Sequence, residues 1–412
     1  MPISRNKRKK PLKKKKHVSV KQLLNYLPDE VIADFASESE ADKHVKRLSG
    51  LLFFKLLLYG VLKSSRLSTH LLESYYNSEQ FSHFSGKGGH QTRHSSIADR
   101  LKSLPVELFE KLFSHVSTQL EKQFSVSKPS KDALTIRRFD STMVVSSAAL
   151  LKEGMIVGKR PKQGTGTKHV KFSIGLSGDL PVQASTYSEQ AYLSEDKALA
   201  GLVLQAEKKK ETVLVFDRGI AKRSTYDELT TETHLFVTRI NTNAVCKILK
   251  ERELKDKETD TLHLQADLVV KLQGNKHKWT KHSYRFIKTI SKESGEEIWF
   301  LSNMKEIAAC QITEIYRQRW QIEVFFKFLK QHLAFNHLLS YELDAIKIML
   351  YVRLIAAALM LIYKRENGLS SYKIAVEQFR DELEMELIKY LIDQSGGNSK
   401  MLKQLVGYQK FW

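Results

Sequence analysis

Three carboxylates carry the chemistry that can be read directly from the chain. Asp140 follows Leu134-Thr135-Ile136-Arg137-Arg138-Phe139, and Asp217 follows Val213-Leu214-Val215-Phe216 and precedes Arg218-Gly219. A carboxylate at the carboxyl end of a buried strand, next to a turn, sits where open α/β sheets place their ligands. Two such acids from neighbouring strands can share a metal ion, although either alone reads equally well as a turn former. The third acid, Glu323, lies in the stretch 315–333, whose spacing predicts one continuous helix. At about 100° per residue, Tyr316, Arg319, Glu323 and Lys330 share one arc of about 60°. Ile315, Ile322, Phe325 and Leu329 fill the neighbouring arc and would dock that helix on a sheet. One carboxylate thus stands between two cations and a phenol, beside the buried face.

The chemistry suited to this set is metal-assisted phosphoryl transfer. Glu323 would complete a three-carboxylate cage for Mg²⁺, whose remaining positions go to water and phosphate oxygens. Two metal ions in such a cage activate the attacking oxygen and stabilise the leaving one. Arg319, Lys330 and Tyr316 would hold phosphates on either side of the scissile bond. The plainer alternative is an amphipathic helix with Arg319–Glu323 and Glu323–Lys327 pairs four residues apart, each worth about 0.2–0.5 kcal/mol.

Charge points to the same substrate class. The 412 residues hold 67 Lys and Arg against 46 Asp and Glu, a net charge of +21. Such an excess predicts an extended polyanionic partner, with nucleic acid first and an anionic membrane surface second. The first sixteen residues contain nine Lys or Arg and no acid, and without them the remainder is still +12. That tail reads either as a disordered solubilising arm or as a direct DNA contact. It lacks the apolar stretch of a secretory signal. Cys246 and Cys310 are too few for a disulfide framework or a cysteine zinc site. The most membrane-like stretch, 346–363, is interrupted by Lys347 and Arg353, and its uninterrupted part is too short to span a bilayer. A buried core helix in a cytoplasmic protein is the expectation.

The elements that must position the acids follow from the texture of the chain. Residues 18 to about 127 read as helical, with 51–62 densely apolar and Leu101, Leu104, Leu108, Leu112 and Val116 at helical spacing. His94-Ser95-Ser96 ahead of Ile97 looks like a capped helix start beside Arg93, either an ordinary short helix or one that enters a major groove. From about 134 strands take over: 134–145, a hairpin of 169–176 and 180–188, and the short apolar run 212–216. A helix-like stretch, 194–208, separates the last two. A second β-rich block over 236–303 includes 263–272, 283–290 and 297–303, and everything after about 306 is helical. The glycines of 154–168 lack phosphate-loop spacing and predict only a flexible basic loop.

Tyr316-x2-Arg319-x3-Glu323-x6-Lys330 matches the Y-R-E-K signature of the insertion sequence 4 family of bacterial DDE transposases. Phe216-Asp217-Arg218-Gly219 resembles that family's second-Asp block and Asp140-Ser141-Thr142 its first. The resemblance covers roughly 130–340 and implies an α/β fold. Its ribonuclease-H-like catalytic core (129–235 and 304–366) would be interrupted by a β-rich insertion (236–303). A basic tail (1–17) and a helical DNA-binding domain (18–128) would precede it, and a helical segment (367–412) would follow. The 106 residues between Asp217 and Glu323 leave room for that insertion, as in the transposon-five branch of the family. Phe236-Val237-Thr238-Arg239 is similar to a strand there that bears a DNA-contacting arginine, which makes Arg239 a candidate phosphate ligand. Residues 297–302 resemble a strand carrying a tryptophan that stacks on a flipped base, so Trp299 reads either as a base stacker or as an ordinary buried aromatic.

The resemblance implies cut-and-paste transposition. The helical region would bind terminal inverted repeats, and Asp140, Asp217 and Glu323 would use Mg²⁺ (two ions, Mn²⁺ substituting) to cleave and transfer strands of double-stranded DNA. Hairpin ends and a homodimer are implied as well, with 369–394 the expected interface. The rivals are a DNA-binding derivative without catalysis and a structure-specific nuclease on the same core.

Overall fold

The computed structural model describes residues 17–86, 90–124, 134–158, 166–209 and 211–399. The basic tail over 1–16 and most of the basic loop beyond Gly158 lie outside them.

Seven helices come first: α1 (Val20–Leu24), α2 (Asp29–Glu38), α3 (Gly50–Lys63), α4 (Thr69–Tyr76), α5 (Glu79–Ser85), α6 (His94–Ser103) and α7 (Val106–Phe124). Serines start four of them. Ser19, Ser49, Ser68 and Ser78 each accept a bond from the backbone N–H three residues on, satisfying a donor the helix itself cannot. Helix α3 is apolar on nearly every side and accordingly runs buried through this unit.

The sheet follows as β1 (Thr135–Ser147), β2 (Thr167–Ser177), β3 (Leu180–Tyr187), α8 (Ala198–Leu204), β4 (Thr212–Phe216), α9 (Arg223–Thr231) and β5 (Leu235–Ile240). Then come β6 (Cys246–Arg252), β7 (Leu262–Leu272), β8 (Tyr284–Ser291) and β9 (Glu297–Ser302). All nine strands form one sheet in the order β3-β2-β1-β4-β5-β9-β8-β7-β6. Strands β1, β4 and β5 run parallel, and the remaining pairings are antiparallel. The β-rich block therefore extends the sheet through β9 beside β5 rather than forming a separate layer. Strand β6, exposed along most of its length, has no apolar alternation and escaped the sequence reading.

The parallel pairing of β1 with β4 ends at Phe139 opposite Phe216, so Asp140 and Asp217 follow at the same level of the sheet. Asp140 was expected at a strand end, yet β1 continues to Ser147 because β2 goes on pairing with it. The Asp140 backbone is thus held by a neighbour on one side only.

The last helices are α10 (Ala309–Arg317), α11 (Trp320–His332), α12 (Leu343–Glu366) and α13 (Tyr372–Gln394). By length and composition α12 could cross a membrane, but 94% of its most apolar window is buried inside the protein. It packs on α3 and α7 and against β3, so one apolar cluster joins the amino-terminal helices, one face of the sheet and the carboxyl-terminal helices. Arg353, in the middle of α12, is buried and donates to the carbonyls of His337 (2.7 Å) and Phe335 (3.4 Å). Helix α13 returns along α12, and Glu382 on it accepts from Tyr363 Oη and from the Val20 backbone N–H.

Gly175 of β2 faces Phe139, the residue before Asp140, and a Cβ there would meet the phenyl Cε1 at 2.7 Å. Gly175→Ala should therefore cost about 1–3 kcal/mol of stability by overpacking. Adding Phe139→Leu should recover part of that loss in urea unfolding, and strictly additive costs would show that the two positions do not press on each other.

Candidate active site

The two aspartates are fixed by their own backbones. Asp140 Oδ1 accepts from the Ser141 N–H at 2.8 Å, and Asp217 Oδ1 accepts from the Arg218 N–H at 2.7 Å. Burial pushes the Asp140 carboxyl up to about 6. The Ser141 N–H and Arg319 oppose that shift, while the charges of Asp217 and Glu195 add to it. The phenol of Tyr316 donates to Asp217 at 3.2 Å; burial, and then the Asp217 charge, raise its pKa.

The helix expected over 315–333 is interrupted in its hydrogen bonding alone. α10 ends at Arg317 and α11 begins at Trp320, but Gln318 and Arg319 keep right-handed helical angles and the turn tightens, with the Arg319 N–H donating to Tyr316 O, three residues back, at 2.8 Å. Buried Arg138 grips this break. Its Nε donates to Gln318 O (2.7 Å), its Nη2 to Gln318 Oε1 (2.9 Å), and its Nη1 to Gly178 O (3.0 Å). The Gln318 carbonyl thus accepts both from this guanidinium and, at 3.2 Å, from the Gln321 N–H. Arg138 and Asp140 lie two apart on β1 and so face the same side of the sheet, which is how one strand carries both an acid and the clamp for the helix opposite.

The break aims Arg319 at the acids. Its Nη1 donates to Asp140 Oδ2 at 3.2 Å, and its Nη2 bonds Glu323 Oε1. One planar guanidinium spans both carboxylates, which places them within about 8 Å of each other. Burial works against the charge of Arg319, but Tyr316, Glu323 and Asp140 outweigh it and keep it cationic. Arg319 also lies 5.8 Å from the Tyr316 ring centroid. Asp140, Asp217, Tyr316, Arg319 and Glu323 are therefore brought together. Lys330, two turns along α11, is exposed and stands outside this bonded cluster among the described residues.

A fourth acid belongs to the same place, and sequence reasoning missed it. Glu195 Oε2 accepts from Ser141 Oγ at 2.9 Å, and its Oε1 pairs with Lys171 Nζ at 2.8 Å. Lys171 is fully buried on β2. Gly219, just after Asp217, lies so close to Glu195 that a Cβ would meet its Cγ at 2.9 Å. The next residue, Asp196, accepts from the N–H groups of Ala221 and Lys222 at 2.7 Å and ties down the turn that follows Asp217. The signal in the sequence was Lys171, a charge inside an apolar strand that requires an acid brought from elsewhere.

Arg239 and Trp299 sit on adjacent strands. Arg239 on β5 pairs in register with Phe300, whose ring is 5.3 Å from that of Tyr316, and Arg239 is near enough to oppose the upward shift of the Tyr316 phenol. Its Nε is buried without a hydrogen-bond partner among the described residues. Trp299 is half-buried, edge-on to Phe286 at 5.2 Å, with Lys288 Nζ 4.6 Å from its ring centroid. Its indole Nε1 likewise has no partner.

The donor set suits a hard divalent cation. Asp140 and Glu323 share the Arg319 guanidinium as their counter-charge, Asp217 joins them through Tyr316, and the Asp140 proton is held weakly enough to be displaced near neutral pH.

Comparison with known proteins fits this geometry. A family model described as "Transposase DDE domain" matches residues 156–359, a span that contains Asp217 and Glu323 and begins beyond Asp140. A putative transposase, y4zB, of Sinorhizobium fredii is 29% identical over 156 residues, 38% of this chain and 44% of that protein. The chain thus spans less than half the length of that relative. A probable transposase for insertion sequence element IS5377 of Geobacillus stearothermophilus is 23% identical over 267 residues, 65% of this chain and 66% of its own length. A putative transposase for insertion sequence element IS4SA of Synechocystis is 27% identical over 265 residues, 62% and 69% of the two chains. A DDE transposase domain model thus spans two of the three acids, and the relatives that the chain resembles are transposases of bacterial insertion sequences.

Proposed function

We propose that the protein is the transposase of an insertion sequence of the insertion sequence 4 type. It would cleave and join DNA strands with Asp140, Asp217 and Glu323 on a ribonuclease-H-like core. The observation that supports this reading most is the bridge from Asp140 through Arg319 to Glu323, with Tyr316 tying in Asp217. Acids 77 and 106 residues apart along the chain are thereby linked into one hydrogen-bonded group. The order β3-β2-β1-β4-β5, with β1, β4 and β5 parallel, supports the core assignment.

Mg²⁺ is the cation we assign to the three acids, with Mn²⁺ as a substitute; bound there, it would supply Lewis acidity to the scissile phosphate and activate the attacking oxygen. The protein's own groups do the rest. Asp140, Asp217 and Glu323 present oxygens, and Ser141, Glu195 and Lys171 hold the Asp140 side of the cluster in place. Arg319, released from its bridge, would turn to a phosphate oxygen, with Tyr316, Arg239 and Lys330 as further phosphate contacts. Trp299 on this reading stacks on an unpaired base of a hairpinned end. The helical unit over 18–128 would bind the terminal inverted repeats, with α6 as the reading helix. Two protomers would act on the two ends, meeting through 369–394, in the cytoplasm where bacterial DNA lies.

Glu323→Gln and Asp217→Asn should each lower strand cleavage on the order of 10³-fold or more, since each removes several kcal/mol of charge stabilisation, while end binding in a gel-shift assay stays within a few-fold. Full cleavage by purified Glu323→Gln protein would refute the assignment.

A pH dependence follows from the Asp140 carboxyl. Its proton must leave for a cation to bind, so Mn²⁺ affinity should rise about tenfold per pH unit below about 6 and level off above it. In the metal-free protein the sign is opposite. The folded state holds the proton more tightly than the unfolded chain, so this group's contribution to stability is present below pH 3.8 and is lost as pH rises through about 6. Asp217→Asn removes a charge that raises the Asp140 pKa and should move both midpoints down; unmoved midpoints in Mn²⁺ titrations and pH-dependent unfolding would assign them to another group.

A further inference from the structure

Far from the acids, α4 and α6 bring together three side chains that the function above leaves unused. His70 and Glu73 lie three residues apart on one face of α4, and His94 is the first residue of α6. The imidazole rings of His70 and His94 stack with centroids 3.9 Å apart and planes inclined by 29°. Glu73 Oε2 accepts from the His94 backbone N–H at 2.7 Å and lies 3.0 Å from its Nδ1. One ligand atom from each of the three residues lies within 4.8 Å of the others. We propose that His70, Glu73 and His94 form a structural site for a borderline divalent cation of the Zn²⁺ type, which staples the start of α6 to α4.

Two imidazoles and one carboxylate are ligands that Zn²⁺ takes readily, with a water completing the tetrahedron. Donor atoms around tetrahedral Zn²⁺ stand about 3.4 Å apart, so ligation requires the two stacked rings to rotate off each other and aim their nitrogens at one position. The backbone beneath is already rigid. Asn77 holds Thr92 in both directions, through Thr92 O (3.1 Å) and Thr92 N (3.0 Å), which sets where the chain enters α6. Ile97 and Leu101 are buried, and Arg100 donates to the carbonyls of Leu48 (2.8 Å) and Ala41 (2.7 Å), which anchors the far side of the helix. A site built between two anchored helices is pre-organised, which favours cation capture. The simpler role of Glu73 is to cap α6, whose N-cap residue Arg93 contributes no side-chain bond. Capping explains the contact with the His94 N–H; it does not explain why a second imidazole is brought within 4.8 Å of both groups. The arrangement stands without the transposase reading, since none of its residues touches the acid cluster.

The test titrates the full chain carrying Asp217→Asn, which weakens the acid cluster as a competing site, with Co²⁺ as a spectroscopic stand-in for Zn²⁺. The expected result is one equivalent of Co²⁺ with the intense visible absorption of tetrahedral coordination, displaced by one equivalent of Zn²⁺. His70→Ala, at an exposed position that leaves the α6 cap intact, should weaken binding by at least about tenfold, as should His94→Gln. Zn²⁺ should also raise the melting temperature of the parent chain and leave that of the His70→Ala chain unchanged. Octahedral-type weak absorption, or equal Co²⁺ affinity in the parent and His70→Ala chains, would overturn the proposal and leave Glu73 as a helix cap.

Discussion

The structure turns on holding several part-buried carboxylates together against their mutual repulsion. Asp140 shows the cost directly. Its carboxyl is pushed up to about 6, first by burial and further by the charges of Asp217 and Glu195. Like charges gathered in a poorly solvated place separate or protonate unless the scaffold fixes them and supplies counter-charge. Here it does both. Arg319 lies between Asp140 and Glu323, Lys171 neutralises Glu195, and the Tyr316 phenol donates to Asp217. A site so arranged carries an electrostatic demand that an incoming cation or phosphate can meet, because the protein has already done the work of gathering the charge.

The scaffold that makes this possible is simple. Parallel pairing of β1 with β4 ends at Phe139 and Phe216, which sets Asp140 and Asp217 at one level of the sheet. Gly175 lets the Phe139 ring lie flat against β2 there. On the opposite side, the break between α10 and α11 turns Arg319 and Glu323 inward together. Arg138 connects the two halves, since the strand that carries Asp140 also grips Gln318 at the break. A shift of either half would be felt by the other through that one guanidinium.

Around this centre a single apolar cluster fastens the amino-terminal helices to the catalytic sheet through α12. A helix buried on all sides, with Arg353 satisfied by carbonyls at its middle, transmits displacement because close-packed interiors do not yield smoothly. The unit that would grip DNA ends is therefore mechanically continuous with the acids that would cut them. A staple between α4 and α6 would stiffen that unit further.

Much of this was legible along the chain because its causes are local. Asp140 and Asp217 close apolar strand runs, Tyr316, Arg319 and Glu323 follow helical spacing, and the apolarity of 346–363 with Arg353 inside it spells a buried helix; each signal arises within a dozen residues. What tertiary structure alone decided is who meets whom. Arg138, 180 residues before Gln318, grips the Gln318 carbonyl where the helix over 315–333 tightens, and no periodicity within the helix records that. Lys330 shares the helical arc of Glu323, yet Arg319, and not Lys330, bonds the acids. Glu195 joins the site only because Lys171 and Ser141 on other strands need its two oxygens. Charge pairing and backbone satisfaction act through space, so spacing together with the family resemblance could propose the acids, whereas their counter-charges and their clamp emerged only once the strands were in register.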